Sequence, residues 1–261
     1  LLSARLSRNL SDFLTVGRSS AVVKEFALLK QAKFRRSQGL ALVEGVRLIE
    51  ELLASTFQPK ALFVTPDCLA SPRGSTLARR FPGSVYVGEE STLARLSDTE
   101  SFAGVVAVAG IPSTKLPSLA ELNSLLVLDG LGDPGNVGTL IRTARAAGVD
   151  GAVVIGGVDP FNAKVLRASA GAIFHLPILN AGAQEIQAAQ FCLVSMVVRG
   201  GENPYQAPLP KKIAFVLGNE SHGLNVAQGL QVTIPMALGC ESLNVASAGA
   251  ILMYEWRRRY T

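Results

Sequence analysis

Residues 125–147, LLVLDGLGDPGNVGTLIRTARAA, join a strand, a glycine-rich turn and a helix, and the rest of the chain is read outward from them. Leu125-Leu126-Val127-Leu128 is an apolar run closed by Asp129-Gly130, the pattern of a strand buried on both faces. From Asn136 to Ala147 the apolar positions are Val137, Leu140, Ile141 and Ala144, a helical spacing. Asn136 stands where an N-cap belongs, and Gly148 where a helix stops. Gly130, Gly132 and Gly135 also spell G-x-G-x-x-G, with Asp150 about 20 residues on, as a dinucleotide site requires. Two features count against that site. Asp150 precedes the apolar run 152–155 instead of ending it, and Pro134 removes a backbone N–H from a loop that would cradle pyrophosphate.

Asn136 and Arg142 are the chemically loaded residues of this stretch. Six residues amount to about 600° of helical rotation, so their side chains need not share a face. A cap residue, however, can bend toward the crevice at the carboxyl ends of the strands, where open α/β sheets bind ligands. A plain cap with a solvated arginine is the competing reading.

The 261 residues are 48% hydrophobic and 17% charged, which fits a folded chain of one large or two modest domains. No apolar run reaches the ~18 residues of a membrane span. Cys68, Cys192 and Cys240 are odd in number and widely spaced, which argues against a disulfide framework or a zinc site and for a reducing compartment. With only His175 and His222 present, a multi-histidine metal site is excluded by count. The formal charge of +5 is concentrated at one end: residues 1–36 carry eight Lys or Arg against Asp12 and Glu25. Such an arm fits a polyanionic partner, or equally a solvated helix face. The acid-poor first dozen residues fit either the remainder of an organellar transit peptide or a mere boundary of the sequence. The expected compartment is the cytoplasm in a bacterium, or the chloroplast or mitochondrion in a eukaryote.

Residues 19–38 read as one amphipathic helix running into a basic turn. Strands are expected at 40–43, 61–64, 85–87 and 104–109, and helices at 46–54, 76–81 and 89–96. This alternation predicts an α/β domain over 13–110. A Pro/Ser-rich linker follows at 111–122. A second domain spans 123–261, with strands at 125–129, 152–156, 191–197, 213–217 and 231–234. Its helices are expected at 136–147, 162–171, 184–190 and 243–258, again around an open, mostly parallel sheet. Two later stretches repeat the form of a strand followed by a polar loop: 213–217 before GNESHGL, and 232–236 before ESLN. Three polar loops at the same ends of neighbouring strands would converge on one site. Ser221, Ser242 and His222 lack the G-x-S-x-G elbow of a hydrolase.

Three motifs in order, N-x-G-x-x-x-R-T-A at 136–144, L-G-N-E-x-x-G at 217–223 and I-P-M followed by E-S-L-N-V at 234–245, resemble those of the SpoU, or TrmH-type, RNA 2′-O-methyltransferases of the SPOUT superfamily. The stretch 159–177, DPFNAKVLRASAGAIFHLP, is similar to that family's segment between the first and second motifs. Residues 34–53, FRRSQGLALVEGVRLIEELL, resemble its small ribosomal-protein-like substrate-binding domain. The resemblance implies an α/β fold class: a small N-terminal α/β RNA-binding domain plus a C-terminal α/β-knot domain with a deep trefoil knot. It also implies a homodimer with the active site near the subunit interface.

By the same resemblance the cofactor is S-adenosyl-L-methionine, with contacts at Gly218, Ile234 and Leu243. Catalytic roles fall on Asn136, Arg142, Glu220, Ser242 and Asn244, with no metal. Phosphate-gripping cations are expected at Lys33, Arg35, Arg36, Arg47, Lys164 and Arg167. The implied reaction is methylation of a ribose 2′-hydroxyl, in ribosomal RNA before transfer RNA because of the added N-terminal domain. A non-catalytic RNA-binding or ribosome-assembly protein that keeps the fold is the alternative, and a nucleotide-dependent oxidoreductase the third. Ala246 departs from the pattern, which commonly has Ser there. The run Arg257-Arg258-Arg259 fits the C-terminal end of a helix dipole.

Overall fold

In the computed structural model, residues 12–112, 117–218 and 229–260 are described. The chain divides at Thr114 and Lys115 into two units, with Phe161–Ala163 grouped with the first.

The first unit comprises β1 (Leu14–Val16), α1 (Ala21–Ala27), α2 (Ala32–Gln38), β2 (Leu40–Glu44), α3 (Val46–Leu53), β3 (Gln58–Val64), α4 (Pro66–Ala70), α5 (Pro72–Arg80), β4 (Ser84–Gly88), α6 (Glu90–Leu93) and β5 (Val105–Gly110). Its strands lie in the order β1-β4-β3-β5-β2, and β5 runs antiparallel to both β2 and β3. Alternate residues of β2, β3 and β5 (Leu42, Ala61, Phe63, Val106 and Val108) meet Val23, Leu29 and Leu93 in a buried core. Phe63 stacks on Tyr86 with ring centroids 4.9 Å apart.

The single helix expected over 19–38 is two helices. A 3-10 turn at Leu28–Lys30 follows α1, and Gln31 is extended (φ −93°, ψ 132°) before α2 begins. Arg35 explains the break: its Nη1 donates to the carbonyls of Leu29 and Lys30, each at 2.8 Å, taking up acceptors the interrupted helix leaves open. Arg35 is buried, so its charge is committed to this turn and it leaves the set of expected RNA-facing cations.

The second unit comprises β6 (Ser124–Asp129), α7 (Pro134–Ala147), β7 (Gly151–Ile155), α8 (Ala163–Ala168), β8 (Ile178–Leu179), α9 (Ala183–Ala188), β9 (Cys192–Met196), β10 (Ile213–Gly218), β11 (Leu230–Val232) and α10 (Val245–Tyr260). The order is β11-β9-β10-β6-β7-β8, with every pairing parallel. All six residues of β6 are buried, as the two-faced apolar run requires. Leu125, Val127, Val153, Leu193, Ala214 and Val216 form the core on one side of the sheet.

On the other side α7 and α10 pack together. A Cβ on Gly249 of α10 would fall 2.5 Å from Leu140 Cδ2 and 2.6 Å from Leu217 Cδ1, so glycine is what lets α10 reach both α7 and β10. The last turn of α10 is tied down by side chains. Arg257 Nη1 donates to the Ala147 carbonyl (3.0 Å), Trp256 Nε1 to that of Pro210 (3.0 Å) and Tyr260 Oη to that of Leu209 (2.6 Å). Arg259 donates to the Pro204 and Ala207 carbonyls, while Arg258 and Arg259 both reach the buried Glu255. The arginine run is therefore a clamp on α7 and the 204–210 segment as well as a helix terminus. Among the described residues no helix is long and apolar enough to cross a membrane.

Candidate active site

The site is built at the carboxyl ends of β6, β9 and β10. Parallel register sets Leu217 beside Leu128 and Gly218 beside Asp129, so the central strand tips end level. After Asp129, Gly130 takes a left-handed turn (φ 70°) that an L-residue would resist. Leu131 is then fixed: its carbonyl accepts from Val158 N (2.9 Å), while Gly130 N donates to the Ile155 carbonyl (2.8 Å).

The head of α7 lies earlier than expected. Asp133, not Asn136, is the N-cap: its Oδ1 accepts from Asn136 N at 2.7 Å, and Pro134 occupies the first helical position. Proline is favoured there because that N–H has no helical partner and its φ is preset. Asn136 is thereby released from capping, and its Oδ1 accepts from Asn244 Nδ2 at 3.0 Å. Asn244 in turn caps α10, its Oδ1 accepting from Ala246 N (2.9 Å) and Ser247 N (3.3 Å). One side-chain pair thus couples the heads of two helices separated by more than a hundred residues of sequence. Ala246 donates to this cap through its backbone, so the departure there from the family pattern leaves the cap intact.

A cavity of about 480 Å³ opens beside this pair, lined by Leu131, Gly132, Asp133 and Asn136 from the first loop, Met196, Val197 and Val198 beyond β9, Gly218 at the tip of β10, and Ile234, Met236, Ser242, Leu243, Val245 and Ala248 from the last stretch. The size falls in the ~300–1,000 Å³ range of small-molecule sites, and the mostly apolar lining with a few polar groups is their usual composition. The third wall is held by Thr233, whose Oγ1 donates to the Val197 carbonyl (3.1 Å) and accepts from Gly201 N (2.9 Å).

Of the expected residues, Asn136, Gly218, Ile234, Ser242 and Leu243 line this cavity, and Asn244 is hydrogen-bonded to one of them. Arg142 is exposed on α7 and outside the lining. Glu220 lies outside the described residues, as does the stretch from Asn219 to Gly223 of the second motif. Lys33, Arg36 and Arg47 are exposed in the first unit; Lys164 is exposed and Arg167 half-buried at α8. Sequence reasoning missed Asp133 and Met196–Val198. The Asp-Pro step was a legible cap signal for the first; a strand end with no polar loop offered none for the second. Among the described residues no group of three or more His, Cys, Asp or Glu is placed to hold a metal.

Residues 123–254 match the model of the SpoU rRNA methylase family, and residues 21–107 that of the MRM3-like substrate-binding domain. The chain belongs to the SpoU rRNA methylase family. A 23S rRNA (guanosine(2553)-2′-O)-methyltransferase of Bacillus subtilis is 32% identical over 90% of this chain and 95% of its own length. The mitochondrial rRNA methyltransferase 3 of Mus musculus is 26% identical over 89% of this chain and 70% of its own. The AdoMet-bound rRNA methyltransferase of Sinorhizobium meliloti superposes with a TM-score of 0.81 at 26% identity, covering 96% of this chain and 99% of that one. The protein is a methyltransferase of this class, and its second unit has the knotted α/β fold of the family. The crossing is visible in the strand order: β11 lies outside β9, yet the chain beyond it returns across the tips of β9 and β10 to wall the cavity.

Proposed function

We propose that the protein methylates a ribose 2′-hydroxyl of ribosomal RNA, with S-adenosylmethionine as methyl donor. The observation that carries this reading is the convergence of the first and third motifs, with the strand tip that opens the second, on one cavity. The cavity suits the cofactor: Ile234, Leu243 and Val245 offer apolar walls to an adenine, and Gly218 lets backbone approach it. When bound, S-adenosylmethionine supplies an electrophilic methyl carried on a positively charged sulfur.

The chain's own residues position the nucleophile. Asn136, held by Asn244, retains its amide donors for a ribose or phosphate oxygen, and Ser242 adds a hydroxyl at the rim. Arg142 is a poor base, with a pKa above about 12; its role is to fix a phosphate and stabilise the developing alkoxide, the proton leaving to phosphate or water. Glu220 orients Arg142 or Asn136. The exposure of Arg142 outside its own cavity suits a homodimer whose sites are completed near the interface. Residues 13–110 act as the RNA-binding domain through Lys33, Arg36 and Arg47, joined by 111–122 to the methyltransferase domain 123–261, where Lys164 and Arg167 add phosphate contacts. The compartment is a bacterial cytoplasm or a eukaryotic organelle, as for the bacterial and mitochondrial relatives.

Incubation with labelled S-adenosylmethionine and unmodified ribosomal or transfer RNA tests the reading. Label in ribosomal RNA, at one nucleotide that resists alkaline cleavage, is the expected result. Label confined to transfer RNA would reassign the substrate, and tight cofactor binding with no transfer to either RNA or to assembled subunits would favour a non-catalytic binder.

A further inference from the structure

The cavity carries one formal charge among its described lining residues, the carboxylate of Asp133. Every other side chain there is apolar, glycine, amide or hydroxyl. Asp133 Oδ1 accepts one bond, from Asn136 N at 2.7 Å, and a carboxylate has capacity for about four. The positive end of α7 offsets part of its charge, and the remainder is set against a largely apolar wall that screens it less than water does. A ligand with a fixed positive charge is therefore favoured over a neutral one of the same shape.

Resting on the cofactor reading above, we propose that Asp133 is the specificity-determining residue that holds the sulfonium donor in preference to its demethylated product. S-adenosylmethionine and S-adenosylhomocysteine share their adenosine, ammonium and carboxylate groups; they differ in one methyl and in the charge on sulfur. An anion near the sulfur separates the two ligands, whereas an anion near the shared ammonium does not. The consequence is directional: methyl transfer removes the charge that Asp133 attracts, so the product is released from a site that no longer favours it.

Titration calorimetry of both ligands against the wild type and Asp133→Asn tests this. Asparagine keeps the shape and caps a helix as well as aspartate, so the substitution removes the charge alone; Asp133→Glu, which retains it, is the second variant should the first fold poorly. The expected result is about a tenfold loss of S-adenosylmethionine affinity in Asp133→Asn, with product affinity changed less than twofold, and a wild-type preference for the donor retained in Asp133→Glu. Parallel weakening of both ligands, or no change in either, would overturn the proposal while leaving the cofactor site standing. Failure of the wild type to bind either ligand would overturn the cofactor reading, and this proposal with it.

Discussion

The two units each contain a strand that ends in a buried carboxylate, a glycine with positive φ, and a helix, yet only one of them opens a cavity. In the first unit β2 ends at Glu44, Gly45 turns at φ 96° and α3 starts at the next residue. Glu44 is closed off there: its oxygens accept from Ser97 Oγ (2.7 Å), Thr99 Oγ1 (2.9 Å) and Ala103 N (3.2 Å). In the second unit β6 ends at Asp129 and Gly130 turns at φ 70°, but Leu131, Gly132 and Asp133 intervene before α7. Those three residues set the helix head back from the strand tip, and all of them line the cavity. The strand–glycine–helix step is a structural device in both units; the inserted loop is what turns it into a site.

The comparison breaks most sharply at the polar groups. Asn136→Ala removes the acceptor that holds Asn244 and the amide proposed to face the substrate. It is expected to lower kcat by about 10²–10³ with the melting temperature nearly unchanged; loss of Tm in proportion to activity would make the pair structural. Glu44→Ala should do the opposite. It leaves two hydroxyls and an N–H without their acceptor, destabilising the first unit by about 2–4 kcal/mol in denaturant melts while the second unit's cofactor affinity is unaltered.

Gly249→Ala drives a methyl into Leu140 and Leu217 and is expected to cost about 1–3 kcal/mol, measurable by thermal melting of the second unit. The smallest effect belongs to Glu255, whose carboxyl is held below its ordinary value by the hydrogen bond from Arg258 and by Arg259, against the opposing effect of burial. A depressed folded-state pKa stabilises above the ordinary carboxylate value and is lost as pH falls through the depressed one. Glu255→Gln should therefore lower Tm by about 2–4 °C at neutral pH, with the difference from wild type vanishing in acid; a gap that widened in acid would contradict the assignment.

Much of this was legible in sequence where one local signal acts alone. The buried run of β6, the alternating elements of both units and the three polar loops needed only periodicity and turn residues. What escaped was decided by groups distant in sequence. The break at Gln31 depends on Arg35 folding back on Leu29 and Lys30, and charge counting alone had placed Arg35 on the RNA surface. The shift of the α7 cap from Asn136 to Asp133 follows from the Asp-Pro step, but the reason it matters, the Asn136–Asn244 bond, links residues that no window of sequence joins. The short strands β1 and β8 carry too few residues to show a period. The knot came from family resemblance, since strand patterns do not record which segment passes through which.

The central claim is that the loop between β6 and α7, the tip of β10 and the stretch before α10 together hold the methyl donor. A crystal structure of the protein with S-adenosylmethionine tests it most directly. The account predicts density for the cofactor against Gly218, Ile234 and Leu243, with its sulfur on the Asp133 side of the cavity. Cofactor bound elsewhere on the chain, with this cavity holding only solvent, would contradict it.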